Sequence, residues 1–450
     1  MRATVSSVCC VLLALVTACG RDGADGPSSP PTWHQDVAPL VAGHCQSCHS
    51  AGGIAPFALT TYAEAGPMAP RMIEEVTARR MPPFGAVPRG DCAPPRAFLD
   101  DPTLTTTEID TLRAWVDAGA PEGDAAHAAA LPEPPSRTLQ GVTQVIAPPS
   151  AWTTSGTSDQ FICMVYDPEL TTDMWLTGIE FRPSSPSVVH HAVAIVDPTR
   201  ASAQLAGPGG VYECFGDGGI PSAYPLGGYT PGALPFEEVA GSGIRVPASS
   251  LIVVQFHYHP LASADPISDE TSLALRMTST FPGREAAWVG VGNEFDPGIL
   301  QPDPDDRGSG VEFRIPAGVA EHTEQLRIPL NADEGARVPI WSLYPHMHYL
   351  GTRMLVELEH ADGSRTCLID AGRYDFDWQR PYVYDGSIGD LPLVRFGDKM
   401  VITCTYDNTL ANEHVQRALA EQHLSAPVDV YYGEQTLDEM CIVLVGAVVP

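Results

Sequence analysis

From about residue 151 onward the chain is written in short apolar or alternating runs, SVVHHAVAIV, SSLIVVQFHYHP, VPIWSLYPHMHYLG, TRMLVELEHA and KMVITCTYDN, separated by Gly, Pro, Asp and Asn. Strands repeat with a period of two and stop at turn-forming residues, so this texture predicts all-β structure packed as sandwiches. About 300 residues of it exceed a single sandwich.

Upstream the pattern changes. In TTTEIDTLRAWVDAGAP, Thr105 and Glu108 are spaced as a capping box and Ile109, Leu112, Trp115 and Val116 form one apolar stripe. Gly119 and Pro121 then stop what reads as a helix. Residues 122–150 are rich in Ala and Pro and read as a linker, with His127 solvated. Residues 20–31, GRDGADGPSSPP, read as a flexible tether. The opening MRATVSSVCCVLLALVTAC has the basic start, short apolar run and small residues of an export signal, residues 1–19. Its LVTAC resembles a bacterial lipobox, which places a lipid on Cys19. That apolar run is too short to span a bilayer. The expectation is an exported bacterial lipoprotein, periplasmic or at the cell surface, that touches the membrane only through this anchor. The formal charge of -30, with Lys399 the only lysine, leaves no basic patch for nucleic acid.

His44-Cys-Gln-Ser-Cys-His49 holds a Cys-x-x-Cys-His. Cys45 and Cys48 supply two thiols for thioether bonds, and His49 supplies an iron ligand, which points to one covalently bound c-type haem. The rivals are a redox dithiol, which wants a βαβ setting, and half a zinc site, which wants a second Cys/His pair. The opposite axial ligand is expected at Met81, between Arg80 and two prolines, with Met68, Met72 and His34 as alternatives. HCQSCHS, MPP and LRAWVDAGAP together resemble a small bacterial class I-type cytochrome c over residues 32–121.

Further on, histidines recur in strand-like runs: His190-His191, His257-Tyr258-His259 and His346-Met347-His348, followed by Met440 in DEMC. On a strand, His346 and His348 share a face and can share a metal, whereas adjacent His190 and His191 need a bulge or a strand end to converge. His257 completes a trigonal nitrogen set. The soft Met440 thioether suits copper rather than zinc, magnesium or calcium.

VHHAV, VVQFHYH, PHMHYLG and TLDEMC, in this order, resemble the type II copper, ascorbate-dependent monooxygenases of the peptidylglycine α-hydroxylating and dopamine β-monooxygenase kind. The resemblance implies two copper ions. One, on His190, His191 and His257, relays electrons. The other, on His346, His348 and Met440, is the catalytic centre that uses dioxygen to hydroxylate a substrate C–H bond. It also implies the disulfides Cys163 with Cys214 and Cys404 with Cys441, and leaves Cys92 and Cys367 as a possible bridge between domains.

Peptide-hydroxylating members carry polar groups that grip a carboxylate where this chain has Tyr344, Ile442 and Leu444. A small, weakly charged organic substrate is therefore expected, with His259 outside the ligand set. The electron donor is ascorbate or a redox protein, feeding the coppers through the fused haem. The alternative is an exported haem and copper electron-transfer or copper-binding protein without oxygenase activity. The expected fold is multidomain: a small all-α cytochrome c domain, 32–121, followed by two all-β jelly-roll-like sandwich domains, 151–283 and 284–450.

Overall fold

The computed structural model describes residues 29–449, apart from 134–135, 157–158, 215–217, 261–265, 294–296, 309 and 434–437. The signal, Cys19 and most of the tether lie outside the described residues.

Strands Gln160–Tyr166, Val189–Asp197 and Leu251–Tyr258 show why the chain builds layers. Met164, Ala194 and Val254 enter the main core from one face, while Cys163, Ile195 and Val253 fill a smaller core on the other. With both faces covered, these strands read as nearly continuous apolar runs. They pair antiparallel at the centre of a five-stranded sheet edged by Val211–Glu213 and Tyr224–Tyr229. In the second half, His322–Pro329, Lys399–Tyr406, Gly351–Glu359 and Arg365–Ala371 form a four-stranded antiparallel sheet.

A ten-stranded sheet joins the halves. Its order is Gln144–Ile146, Ser272–Thr278, Met174–Arg182, Ser242–Val246, Arg284–Gly292, Ile442–Val449, Arg337–His346 and Tyr382–Val383, with Phe236–Glu237 and Leu393–Arg395 pairing at its sides. The halves meet at a parallel contact, Arg284 opposite Ser242. Apolar residues of all three sheets share one core.

The expected fold class is therefore corrected. The chain is mostly β, and its N-terminus is not a small all-α cytochrome c domain. Helices Ala38–His44, Tyr62–Thr77 and Thr106–Asp117, with the π-turn Trp33–Val37, do bury a small cluster around Trp33, Met72 and Trp115. The chain between the last two helices, however, is irregular and belongs to the β body. Phe84 enters the common core, Leu99 N–H donates to Val383 at 2.8 Å, Arg89 N–H donates to Asp370 Oδ2 at 2.6 Å, and Cys92 is bonded to Cys367. Nor are there two separate sandwiches, because one sheet and one core run through both halves. Strand texture specifies that sheets form but not which edges meet, and here the edges meet across the expected boundary.

Candidate metal centres

His257 lies directly opposite His191, and Tyr258 opposite Val189, so His190 is the extra residue of a β-bulge. The bulge turns adjacent His190 and His191 into one site. His191 Nδ1 lies 3.4 Å from Nδ1 of both His190 and His257, and one nitrogen from each of the three rings fits within 4.8 Å of the others. Asp159 fixes the outer side of the cluster. Its carboxylate is 3.0 Å from His257 Nε2 and 2.7 Å from His259 Nδ1. The first contact lies off the N–H direction and acts as an electrostatic one, whereas the second is a formed hydrogen bond. A negative charge at Nε2 favours the proton there and leaves the Nδ1 lone pair facing the cluster. Burial pushes the Asp159 carboxyl up, but its interactions with His257 and His259 outweigh this and hold it far below the usual range.

Burial, then the neighbouring His257, lowers His190 to about 4. His191 keeps some solvent contact, yet the protein packed around it pushes it well down. Charges on His257, His190 and, from the second cluster, His346 add to that. Imidazoles held neutral at physiological pH are competent nitrogen donors.

The second cluster forms where Arg337–His346 meets Ile442–Val449, with His346 opposite Ile442 and Met440 two residues earlier. His346 ends its strand, and His348 lies beyond it in an irregular segment rather than on the strand, as the spacing had predicted. Other groups restore the convergence. His346 Nδ1 donates to Gln379 Oε1 at 2.7 Å and His348 Nδ1 to the Asp438 carbonyl at 2.8 Å, leaving the rings with centroids 5.4 Å apart. Those oxygens only accept, so Nδ1 carries each proton and Nε2 the lone pair. Burial, then His348, lowers His346 to about 4.

Glu439, fully buried, accepts from backbone N–H of His348 at 2.9 Å, Leu350 at 2.6 Å and Met440 at 3.2 Å. Burial raises its carboxyl to about 8 against the pull of those donors. The Met440 carbonyl accepts from Tyr406 Oη at 2.8 Å, and Cys441 is bonded to Cys404. Cys163 is bonded to Cys214. These bridges, with Cys92–Cys367, belong to an oxidising compartment.

Cys45 and Cys48 are free thiols. Burial, then Cys48, raises Cys45 to about 12, the opposite of the depressed value a redox dithiol needs. His49 Nδ1 donates to the Phe57 carbonyl at 3.1 Å, which leaves the Nε2 lone pair for a ligand. All three line a cavity of about 1060 Å³ between the helices and the β body. Met68, Met72 and Met81 also line it, but His34 does not and instead faces Glu122 at 3.5 Å. His190, Trp378 and Gln379 line it as well. Gly232 seals the contact, since its φ is +77° and a Cβ there would come within 3.0 Å of Cys48 Sγ.

The donor types fit the expected groups: three imidazoles, then two imidazoles with a thioether residue two positions from the strand paired with His346, and two free thiols with a histidine on a cavity large enough for a porphyrin. Tyr344 and Leu444, expected to face a substrate, line a cavity of only about 20 Å³, room for little more than a water. Asp159, Gln379 and Glu439 escaped sequence reading. Of the three, only Glu439 carried a local signal, its place beside Met440.

No protein-family model and no curated protein sequence matches the chain. Among solved structures, a Paenibacillus xanthan lyase aligns at 10% identity over 71% of this chain and 28% of its own, with a TM-score of 0.18, so the chain spans under a third of that enzyme. A structure of infectious bursal disease virus, Gt strain, aligns at 10% identity over 70% of this chain and 73% of its own, with a TM-score of 0.17. Likenesses at these scores carry no argument.

Proposed function

We propose that the protein is an exported copper monooxygenase that hydroxylates a C–H bond of a small organic substrate and receives its electrons through a c-type haem on the same chain. The reaction consumes the substrate R–H, dioxygen, two electrons and two protons, and yields R–OH and water, the electrons coming from ascorbate or a redox protein. The observation that carries this reading is one cavity whose lining includes Cys45, Cys48 and His49 together with His190.

Cys45 and Cys48 would attach the haem and His49 Nε2 would bind its iron, with Met81, Met68 and Met72 within the same lining. Arg79 and Arg373, also on that lining, would supply positive charge for the haem carboxylates in a chain of net charge -30. His190, His191 and His257 would hold one copper, and His346, His348 and Met440 the other. Bound there, the metals supply one-electron transfer and the reduction of dioxygen. The chain contributes preset ligands: Asp159, Gln379 and the Asp438 carbonyl hold the rings, and Glu439 ties the His348 segment to Met440.

Protein purified from an exporting host is expected to carry one haem and two coppers. Met440→Ile should keep the haem and most of the copper yet lose transfer of isotopically labelled oxygen from dioxygen into product across a panel of small organic substrates. Unchanged product formation in that variant would sink the reading. A wild-type protein that binds both metals but never forms product would support a pure electron carrier instead.

A further inference from the structure

The acidic stretch 302–308 folds against the start of strand His322–Pro329 and brings Asp303, His322 and Glu324 together, one donor atom of each lying within 4.8 Å of the others. Glu324 is 0% exposed. Its Oε1 accepts from Arg314 N–H at 3.0 Å and faces His322 Nε2 at 3.1 Å, while its Oε2 is buried without a hydrogen-bond partner. The other ring nitrogen of His322 faces Asp305 Oδ2 at 3.3 Å.

The plainest arrangement is an imidazolium clamped between two carboxylates, but it leaves negative charge over. One imidazolium stands against Asp303, Asp305 and Glu324, and the Arg314 guanidinium is engaged with Glu312 at 3.1 Å and Asp429 at 3.4 Å. A buried carboxylate oxygen lacking a donor is costly, and a bound cation removes that cost. We propose that Asp303, His322 and Glu324 form a third metal site, for a divalent first-row ion of the Mn²⁺ or Zn²⁺ kind. One imidazole nitrogen among carboxylates disfavours calcium, which takes oxygen ligands, and the lack of sulfur disfavours cuprous copper.

The place of the site gives it a task. Glu324 lies opposite Cys404, which is bonded to Cys441 beside Met440. An ion held there ties the 302–314 segment to the strand that backs the second histidine cluster. The inference rests on the fold and this cluster alone, independent of the proposed reaction.

The test is an anaerobic Mn²⁺ titration of the full protein loaded with two equivalents of cuprous copper, which fills the histidine clusters but is disfavoured at this sulfur-free site, followed by electron paramagnetic resonance of free Mn²⁺. Wild type is expected to take up one Mn²⁺ per chain, with Asp303→Asn and Glu324→Gln each weakening uptake at least about tenfold. Absence of saturable uptake in wild type, or uptake in both variants as tight as in wild type, overturns the site. Asp303 sits in a partly exposed loop, so if Glu324→Gln fails to fold, Asp303→Asn alone decides.

Discussion

The imidazole of His190 and the indole of Trp378 lie ring to ring, with centroids 5.3 Å apart. The next residue, Gln379, holds His346 Nδ1 at 2.7 Å, so the turn Phe376–Trp378 and its neighbour connect the two histidine clusters. Replacing Gln379 with Leu removes the acceptor that sets the His346 tautomer. Copper affinity at the second cluster should fall by about 10–100-fold while the first cluster keeps its metal. Copper titration followed by electron paramagnetic resonance distinguishes the sites, and equal loss at both would refute this division of roles.

Glu439→Ala strips three backbone N–H groups of their buried acceptor. At about 1–3 kcal/mol for each donor left unsatisfied, a loss of roughly 3 kcal/mol or more is expected. Glu439→Gln, which keeps one carbonyl oxygen, should cost less. Denaturant melts of the three proteins provide the comparison, and similar midpoints for Ala and wild type would contradict it.

Gly232→Ala places a Cβ 3.0 Å from both Cys48 Sγ and Ser47 Oγ at a residue whose φ of +77° already disfavours side chains. The 45–49 segment must then move off the β body. Stability should drop by about 1 kcal/mol or more. Hydrogen exchange in residues 44–50 should rise, whereas unchanged protection there would show that the contact does not matter.

The Cys92–Cys367 bridge joins residues 275 apart in the chain and pins the irregular stretch between the last two helices to the four-stranded sheet. Replacing both cysteines with serine is expected to cost about 2–5 kcal/mol. Proteolysis should then begin in the 85–100 stretch. A double variant as resistant as wild type would mean the Phe84 and Leu99 contacts suffice without it.

Asp197, fully buried, accepts hydrogen bonds from the backbone N–H and hydroxyl of both Thr199 and Ser202, at 2.7–2.9 Å. Burial raises its carboxyl, but these donors outweigh it and hold the folded-state value below 3.8. A depressed carboxylate contributes stability above its unfolded value that is lost as pH falls through the folded one. Asp197→Asn should therefore be less stable than wild type by about 1.5–3 kcal/mol near neutrality, with the gap narrowing below about pH 4. A gap independent of pH would rule out the charge as its source.

Local chemistry made part of the molecule readable from the chain. The capping box at Thr105 and Glu108 opens the helix Thr106–Asp117, and the short apolar runs SVVHHAVAIV and LIVVQFHYH mark two central strands. Both depend on residues a few positions apart, where spacing is the whole determinant. Tertiary structure alone decided the rest. Strand register made His190 a bulge and set His257 opposite His191. The edge pairing of Ser242–Val246 with Arg284–Gly292 merged two expected sandwiches into one sheet. Asp159, Gln379 and Glu439 reach their histidines from distant segments, and Cys48 and His190 come to line one cavity although 142 residues separate them in the chain. Long-range register and shared burial are set by which apolar faces find each other, and no local spacing records that choice.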